Sequence, residues 1–384
     1  MRIGILTQPL RNNYGGLLQS YALQKVLMTA GHDPITLDQG NKKVSKLHLV
    51  VYQLKRQIQH YVNPVKYKRP ICRLSAEEES IVRKNIKYFI DKYIHHTKIL
   101  RTIDDIRVES ERLGIDGFVV GSDQCWRASY NYHFQAMFLS FVENNHMIKK
   151  IAYAASFGTD TWELNEKKTE LYKKLASKFD LVTVRELSGM DICKNILGVD
   201  SVHVLDPTML LRAEDYCQLV HVEQEPESEG DLFYYILDPS SKKQSFIEQV
   251  CTKNGMTSFM VLPKYKEEYC VRQQVKNDIE GCVYPRVTQW LRAFIDAKMT
   301  IVDSFHGTVF SILFNKPFWV IKNGDRGNTR FTSLLSIFGL ENRLVDENML
   351  GSIDCNTPID WEPVNRILDD KRTFCKELLI NHLR

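Results

Sequence analysis

The sequence has nine cysteines but no two of them at Cys-x-x-Cys spacing. An odd, scattered set argues against a disulfide framework and against a zinc site, and suits a reducing compartment. No apolar run approaches the roughly 20 residues a spanning helix needs. The Gly-x-Gly-x-x-Gly pattern is missing, so no dinucleotide fingerprint is expected. Internal repeats and low-complexity tracts are absent too. The formal net charge is only +4, which gives no broad basic field for nucleic acid. The sharpest local absence is of acid. Between Gln39 and Ala76 there is no Asp or Glu, while Lys42, Lys43, Lys46, Lys55, Arg56, Lys66, Lys68, Arg69 and Arg73 crowd in. Apolar residues such as Leu47, Leu54, Ile58 and Tyr61 lie among them. That mixture suits a basic amphipathic helix resting on an anionic membrane surface, or a solvated helix packed on its own domain.

What is present is globular in kind, with hydrophobic residues making up 43% of 384 positions. The length suits two domains. Short apolar runs at 2–7, 34–37, 116–121, 149–154, 181–185 and 201–205 read as buried strands, with helical patterns between them. They predict an N-terminal α/β domain over 1–210 that carries a basic helical insertion at about 39–76. A linker is expected at 211–230, its acidic end 221–230 poor in bulky apolar residues. A second α/β series follows over 231–350. The first strand begins at Arg2, and the reading places the protein in the cytoplasm.

The chemistry gathers in turns that follow strands. Met299–Val302 is a strand, Asp303–Gly307 its turn, and Thr308–Phe314 the next helix. Ligands of open α/β sheets bind at such carboxyl ends. A histidine there, His306, can exchange protons near neutral pH, or it can cap the helix and sit satisfied in the core. Asn13, Gly15 and Gly16 form a turn before a helix at 17–28, able to bring backbone N–H groups to an anion or to serve as a plain tight turn. Ser122, Asp123 and Gln124 can hydrogen-bond a sugar or a carboxylate, and Trp126 can stack on a pyranose face; alternatively Asp123 holds the turn and Trp126 fills the core. Arg185 ends a strand, either as an anion ligand or paired with a nearby carboxylate, and Glu186 opens a helix where its charge suits the dipole. Arg326, Asn328 and Arg330 lie in a glycine-containing loop before a helix, which reads as an anion-binding loop or an exposed turn.

Five separated segments, Asn13–Gln24, Gly121–Trp126, Val184–Ser188, Leu205–Thr208 and Asp303–Gly307, together resemble the polysaccharide pyruvyl transferase family in order and spacing. The resemblance implies two Rossmann-like α/β domains facing across a cleft, GT-B-like, with a C-terminal helical segment at 351–384 packing back across the domains. It implies transfer of pyruvate from phosphoenolpyruvate, as a cyclic ketal, to a sugar of a surface or capsular polysaccharide precursor. His306 would then be the proton donor and Arg185 the matched arginine that binds the donor anion. Asn13, Gly15, Ser122, Gln124, Ser304 and Gly307 would line the donor. Asp123, Trp126, Arg326, Asn328 and Arg330 would face the acceptor or an anion. Better-described branches carry Arg-Leu-His where this chain has Ser304-Phe305-His306. The resemblance thus implies phosphoenolpyruvate as the donor substrate, with no metal or cofactor expected. The acceptor is a glycan, carried on a lipid diphosphate at the inner leaflet in one version of the reading. Two other readings share these features: a GT-B glycosyltransferase that uses a nucleotide-sugar, and a non-catalytic glycan-binding member of the family.

Overall fold

The computed structural model describes residues 1–40, 54–55, 58–59, 61–62, 74–265, 272–322 and 328–384. Of the basic residues between 39 and 76 only Lys55 is among them; the others, and Arg326, lie outside the described residues. No helix among the described residues is long and apolar enough to cross a membrane.

Two parallel sheets organise the chain. The first holds β1 (Arg2–Leu6), β2 (Asp33–Thr36), β3 (Gly117–Val120), β4 (Lys149–Ala155), β5 (Leu181–Val184) and β6 (Val202–His203) in the order β2-β1-β3-β4-β5-β6. The second holds β7 (Leu232–Tyr235), β8 (Ser258–Phe259), β9 (Met299–Val302), β10 (Phe318–Ile321) and β11 (Leu344–Val345) in the order β11-β10-β9-β7-β8. Strands covered on both faces read as continuous apolar runs, and β3, β5, β9 and β10 are buried at every position. Ile5 lies in register with Val119, and Tyr235 with Val302. Strand order reverses between β1 and β3 in one sheet and between β7 and β9 in the other, so each domain has a crevice at the carboxyl ends of those strands.

The two crevices face each other because the domains share a core. The helix Tyr14–Thr29 is buried along most of its length, and Tyr14 stacks on Trp290 of the helix Val287–Asp296, ring centroids 5.8 Å apart. The Tyr14 hydroxyl donates to the Pro285 carbonyl at 2.9 Å. The stretch expected as a linker is in part a helix, Ala213–Val222, whose Tyr216 meets Phe310 edge-on at 5.0 Å. Each such aromatic pair contributes about 0.5–1.5 kcal/mol beyond the area it buries. A linker assignment fails here because Tyr216, Leu219 and Val220 form an apolar helical face that the second domain covers. The helix Trp361–His382 runs back to the first domain, where Arg372 Nε donates to the Met209 carbonyl at 2.8 Å.

Candidate active site

On the second-domain side, the site is built from the end of β9. Ser304 caps a helix that spans Phe305–Leu313, its hydroxyl accepting the Gly307 N–H at 3.1 Å. The helix therefore starts before the expected Thr308, and His306 sits in its first turn. Gly307 permits the cap: a Cβ there would lie 2.7 Å from Ser304 Oγ and 3.0 Å from Val302 Cβ. Asp303 fastens the turn to the loop after β7, accepting Leu237 N–H at 2.6 Å, Asp238 N–H at 3.1 Å and Lys243 Nζ at 2.8 Å.

The first-domain side is built from the turns after β1, β3 and β5. Asn13 caps the helix Tyr14–Thr29 by accepting the Gly16 N–H at 3.1 Å, and its amide nitrogen donates to Asp123 Oδ2 at 3.1 Å. The cap starts this helix earlier than the expected residue 17. Gly15 lies against the imidazole of His306: a Cβ on Gly15 would come within 2.1 Å of His306 Cγ and Nδ1. The absence of a side chain at Gly15 is what lets the histidine reach across. Gly15→Ala is expected to push the imidazole from its seat and lower turnover more than tenfold, with the melting temperature little changed. Steady-state kinetics beside a thermal melt test this, and wild-type turnover in the variant refutes it.

Behind the histidine is a buried charge cluster. Asp206 Oδ2 stands 3.7 Å from His306 Nε2. That is longer than a hydrogen bond, so the attraction is between charges once the imidazole is protonated. Asp206 also accepts Ser122 Oγ at 2.8 Å, Arg185 Nη1 at 2.9 Å, and the Thr208 N–H and Oγ1 at 3.0 and 2.7 Å. Burial alone would raise the Asp206 carboxyl, but the charges of His306 and Arg185 and the hydrogen bonds from Arg185 and Thr208 outweigh it and hold the group well below the usual range. Asp123 is treated the same way: burial opposes its ionisation, and Arg185, His306 and Arg330 more than offset that. Arg185 spans both carboxylates, Nη2 reaching Asp123 Oδ1 at 3.1 Å. Its guanidinium carbon lies 4.2 Å from the Phe305 ring centre, and its Nε lies 3.9 Å from Glu186.

A cavity of about 290 Å³ opens in front of His306, near the lower end of ligand-pocket sizes of roughly 300–1,000 Å³. Asn12, Asn13, Gly15, Asp123, Gln124 and Tyr130 line it from the first domain, and Tyr235, Tyr284, Ser304, His306 and Arg330 from the second. A larger cavity of about 900 Å³, between the helix Ile103–Leu113 and residues 140–148, contains none of the motif residues. Size alone therefore does not mark the site; the convergence of motif residues and both switch points does.

Residues 13–325 match the model of the polysaccharide pyruvyl transferase family. The chain belongs to that family. Membership makes the protein a transferase of polysaccharide pyruvylation in general terms. UDP-GlcNAc 2-epimerase from Methanocaldococcus jannaschii has the same architecture, with a TM-score of 0.51 at 11% identity over 99% of each chain. Arabidopsis thaliana UGT89C1, solved with UDP-L-rhamnose, gives a TM-score of 0.50 at 9% identity over 99% of this chain and 98% of that one. Such identities speak for the fold alone, which is GT-B-like. No curated protein matches the sequence significantly.

Several expected site residues of this pyruvyl transferase family member prove to have other duties. Arg185 is only 2% exposed and its fork is filled by Asp123 and Asp206, so it does not line the cavity as an anion ligand. Trp126 is in the core, stacked on Phe138 at 4.7 Å with its Nε1–H donating to the Met137 carbonyl at 3.0 Å. A sugar cannot reach it. The Ser122 hydroxyl is buried on Asp206, and the Gly307 N–H is spent on the Ser304 cap, so neither faces a donor. Glu186 makes no cap bond; its carboxylate takes the N–H groups of Phe157 at 2.7 Å and Gly158 at 3.1 Å, shaping the loop after β4. Asn328 is half-buried beside Arg330 but is not among the described lining residues. His306, Asn13, Gly15, Asp123, Gln124, Ser304 and Arg330 do converge on the cavity. Sequence reasoning missed Asp206 as the partner of His306. The matched Leu205–Thr208 segment flagged the position, but only the fold places it opposite the histidine.

Proposed function

We propose that this protein moves pyruvate from phosphoenolpyruvate onto two hydroxyls of one sugar residue, with His306 as the acid. The observation that carries the reading is His306, a lining residue of the shared cavity, reaching across from the second domain toward the buried Asp206 of the first. In the buried cluster two guanidiniums, Arg185 and Arg330, stand with three carboxylates, Asp123, Asp206 and Glu186. His306 is the proton-exchanging side chain that faces this cluster, which suits a residue that gives up a proton and must regain it.

His306 protonates the phosphoenolpyruvate methylene, making it a methyl group and placing cationic character on the adjacent carbon. A sugar hydroxyl attacks that carbon and loses its proton. The bond to phosphate oxygen breaks and phosphate leaves. A second hydroxyl then closes the ketal. Of the two hydroxyl protons, one replaces the proton delivered to the methyl group and the other leaves with phosphate. First-turn and cap residues of the helices Tyr14–Thr29 and Phe305–Leu313 line the cavity, where the helix dipoles favour an anion. Arg330 is the permanently cationic residue among the described lining, and burial together with the neighbouring Arg185 charge brings its guanidinium down to about 10. It takes the donor-binding role first expected of Arg185.

Hydrogen bonds to charged groups contribute about 1.5–3 kcal/mol, so Arg330→Gln is expected to raise the KM for phosphoenolpyruvate roughly 10- to 100-fold. An unchanged KM would remove Arg330 from the donor site. The activity itself is tested by incubating the protein with phosphoenolpyruvate and a galactoside, and in parallel with nucleotide-sugars. Ketal product with one phosphate released per ketal supports the proposal. Turnover of a nucleotide-sugar with phosphoenolpyruvate untouched overturns it in favour of glycosyl transfer.

A further inference from the structure

We infer that Tyr130 is the platform on which one pyranose ring of the glycan acceptor stacks, which assigns the Tyr130 side of the cavity to the sugar and the Arg330 side to the anionic donor. This deepens the proposed activity and rests on its glycan acceptor.

Three observations converge on Tyr130. The first is exposure. Tyr130 is 47% exposed, whereas Tyr235, Tyr284 and Phe305, which line the same cavity, are all buried. Among the described lining residues it is the aromatic with an open ring. The second is the way the ring is held. The Arg127 guanidinium carbon lies 4.0 Å from the ring centre and covers one face, so the exposed area belongs to the opposite face and the edge. Arg127 is itself held by Gln124 Oε1 at 2.9 Å and Glu163 Oε1 at 3.3 Å.

The third observation is the rigidity of the short turn Ala128–Tyr130. Glu163 accepts the Ser129 N–H at 2.7 Å and its hydroxyl at 2.8 Å. Immediately after the turn, the Asn131 amide donates to the carbonyls of Gln124, Cys125 and Arg127 at 2.9, 3.1 and 2.8 Å. A tyrosine kept only for solubility has no need of such bracing. One that must meet a ligand in a set orientation gains from it, because the ordering cost falls before binding.

The chemistry selects a neutral sugar ring. The face of a pyranose presents C–H bonds with slight positive charge, which pack on the negative face of an aromatic ring. Hydroxyls leave the ring at its edge, and Asp123 and Gln124, both among the residues that line the cavity, have groups of the kind that pair with hydroxyls. Tyr130 therefore suits the acceptor by shape, since a flat open ring matches the apolar face of a pyranose.

The test uses the full chain with Tyr130→Ala, Tyr130→Phe and Tyr130→Trp. The Ala variant is expected to raise the KM for a galactoside acceptor at least tenfold while the KM for phosphoenolpyruvate stays within twofold. The Phe and Trp variants, which keep a flat ring, are expected to remain near wild type. A change in both KM values together, or in neither, overturns the inference. A second measurement needs no turnover: saturation-transfer NMR with the methyl glycosides of galactose, glucose and mannose. Transfer to the ring C–H protons of one of them in the wild type, lost in Tyr130→Ala and kept in Tyr130→Phe, supports the platform even where no ketal forms. That outcome without ketal formation sinks the pyruvyl-transfer reading alone. No transfer to any of the three in the wild type counts against the platform.

Discussion

His306→Gln is expected to lower turnover at least roughly 100-fold, the usual scale for loss of a general acid. Glutamine approximates the reach of imidazole and stays polar, so it can occupy the space above Gly15 without a new clash. It cannot become the cation that the Asp206 carboxylate faces. His306 Nε2 has no hydrogen-bond partner among the described residues, so the fold loses little when the ring is removed. The melting temperature is expected to move by no more than a few degrees. Phosphate release in single-turnover and steady-state runs, with the ketal product followed by NMR, gives the rate directly. Turnover within a factor of three of wild type would remove His306 as the acid.

Arg185→Met is expected to be the most destabilising single change at the site. Methionine fills much of the stem volume but leaves Asp123, Asp206 and Glu186 without their shared cation. Breaking a buried pair by removing one partner costs about 3–5 kcal/mol, a large part of a stability of roughly 5–15 kcal/mol. The loss should depend on pH. In the wild type the Asp123 and Asp206 carboxyls are held below their ordinary values. Their contribution is complete above the unfolded-chain value of about 3.9 and drains away as pH falls through the folded values. Without Arg185, burial is less opposed and those carboxyls take up protons at higher pH, which favours the folded variant as pH falls. The gap between wild type and variant is therefore widest near pH 7 and narrows toward pH 4. Urea midpoints at the two pH values test it. A gap that is the same at both, or below about 1 kcal/mol at pH 7, would show that the cluster does not depend on this arginine.

The residues themselves determined the local features of the site. Three apolar residues in four, all four positions buried, made Met299–Val302 a strand. Strand-ending turns with Asn13, Asp123 and His306 pointed to the carboxyl ends of parallel sheets, because short-range patterning specifies which strand meets which turn. The helix starts were less legible. Asn13 and Ser304 each extend a helix by about one turn through a cap whose partner N–H lies three residues on, and a reading by apolar periodicity does not register that bond. Charge roles were decided only by the fold. A guanidinium at the end of β5 serves a ligand or a carboxylate according to what else arrives, and Asp123 and Asp206 arrive from 62 and 21 residues away. Trp126 carries the same sequence signal whether it stacks on a sugar or on Phe138. The packing of the first domain decided for Phe138, and left Tyr130 at the cavity instead. Asp206 and His306 belong to different domains, and nothing local in either segment encodes their approach. That contact exists because the helix Tyr14–Thr29 buries Tyr14 against Trp290 and exposes the bare backbone of Gly15 to the imidazole. Long-range burial, which the chain achieves only when both domains are folded together, set the site.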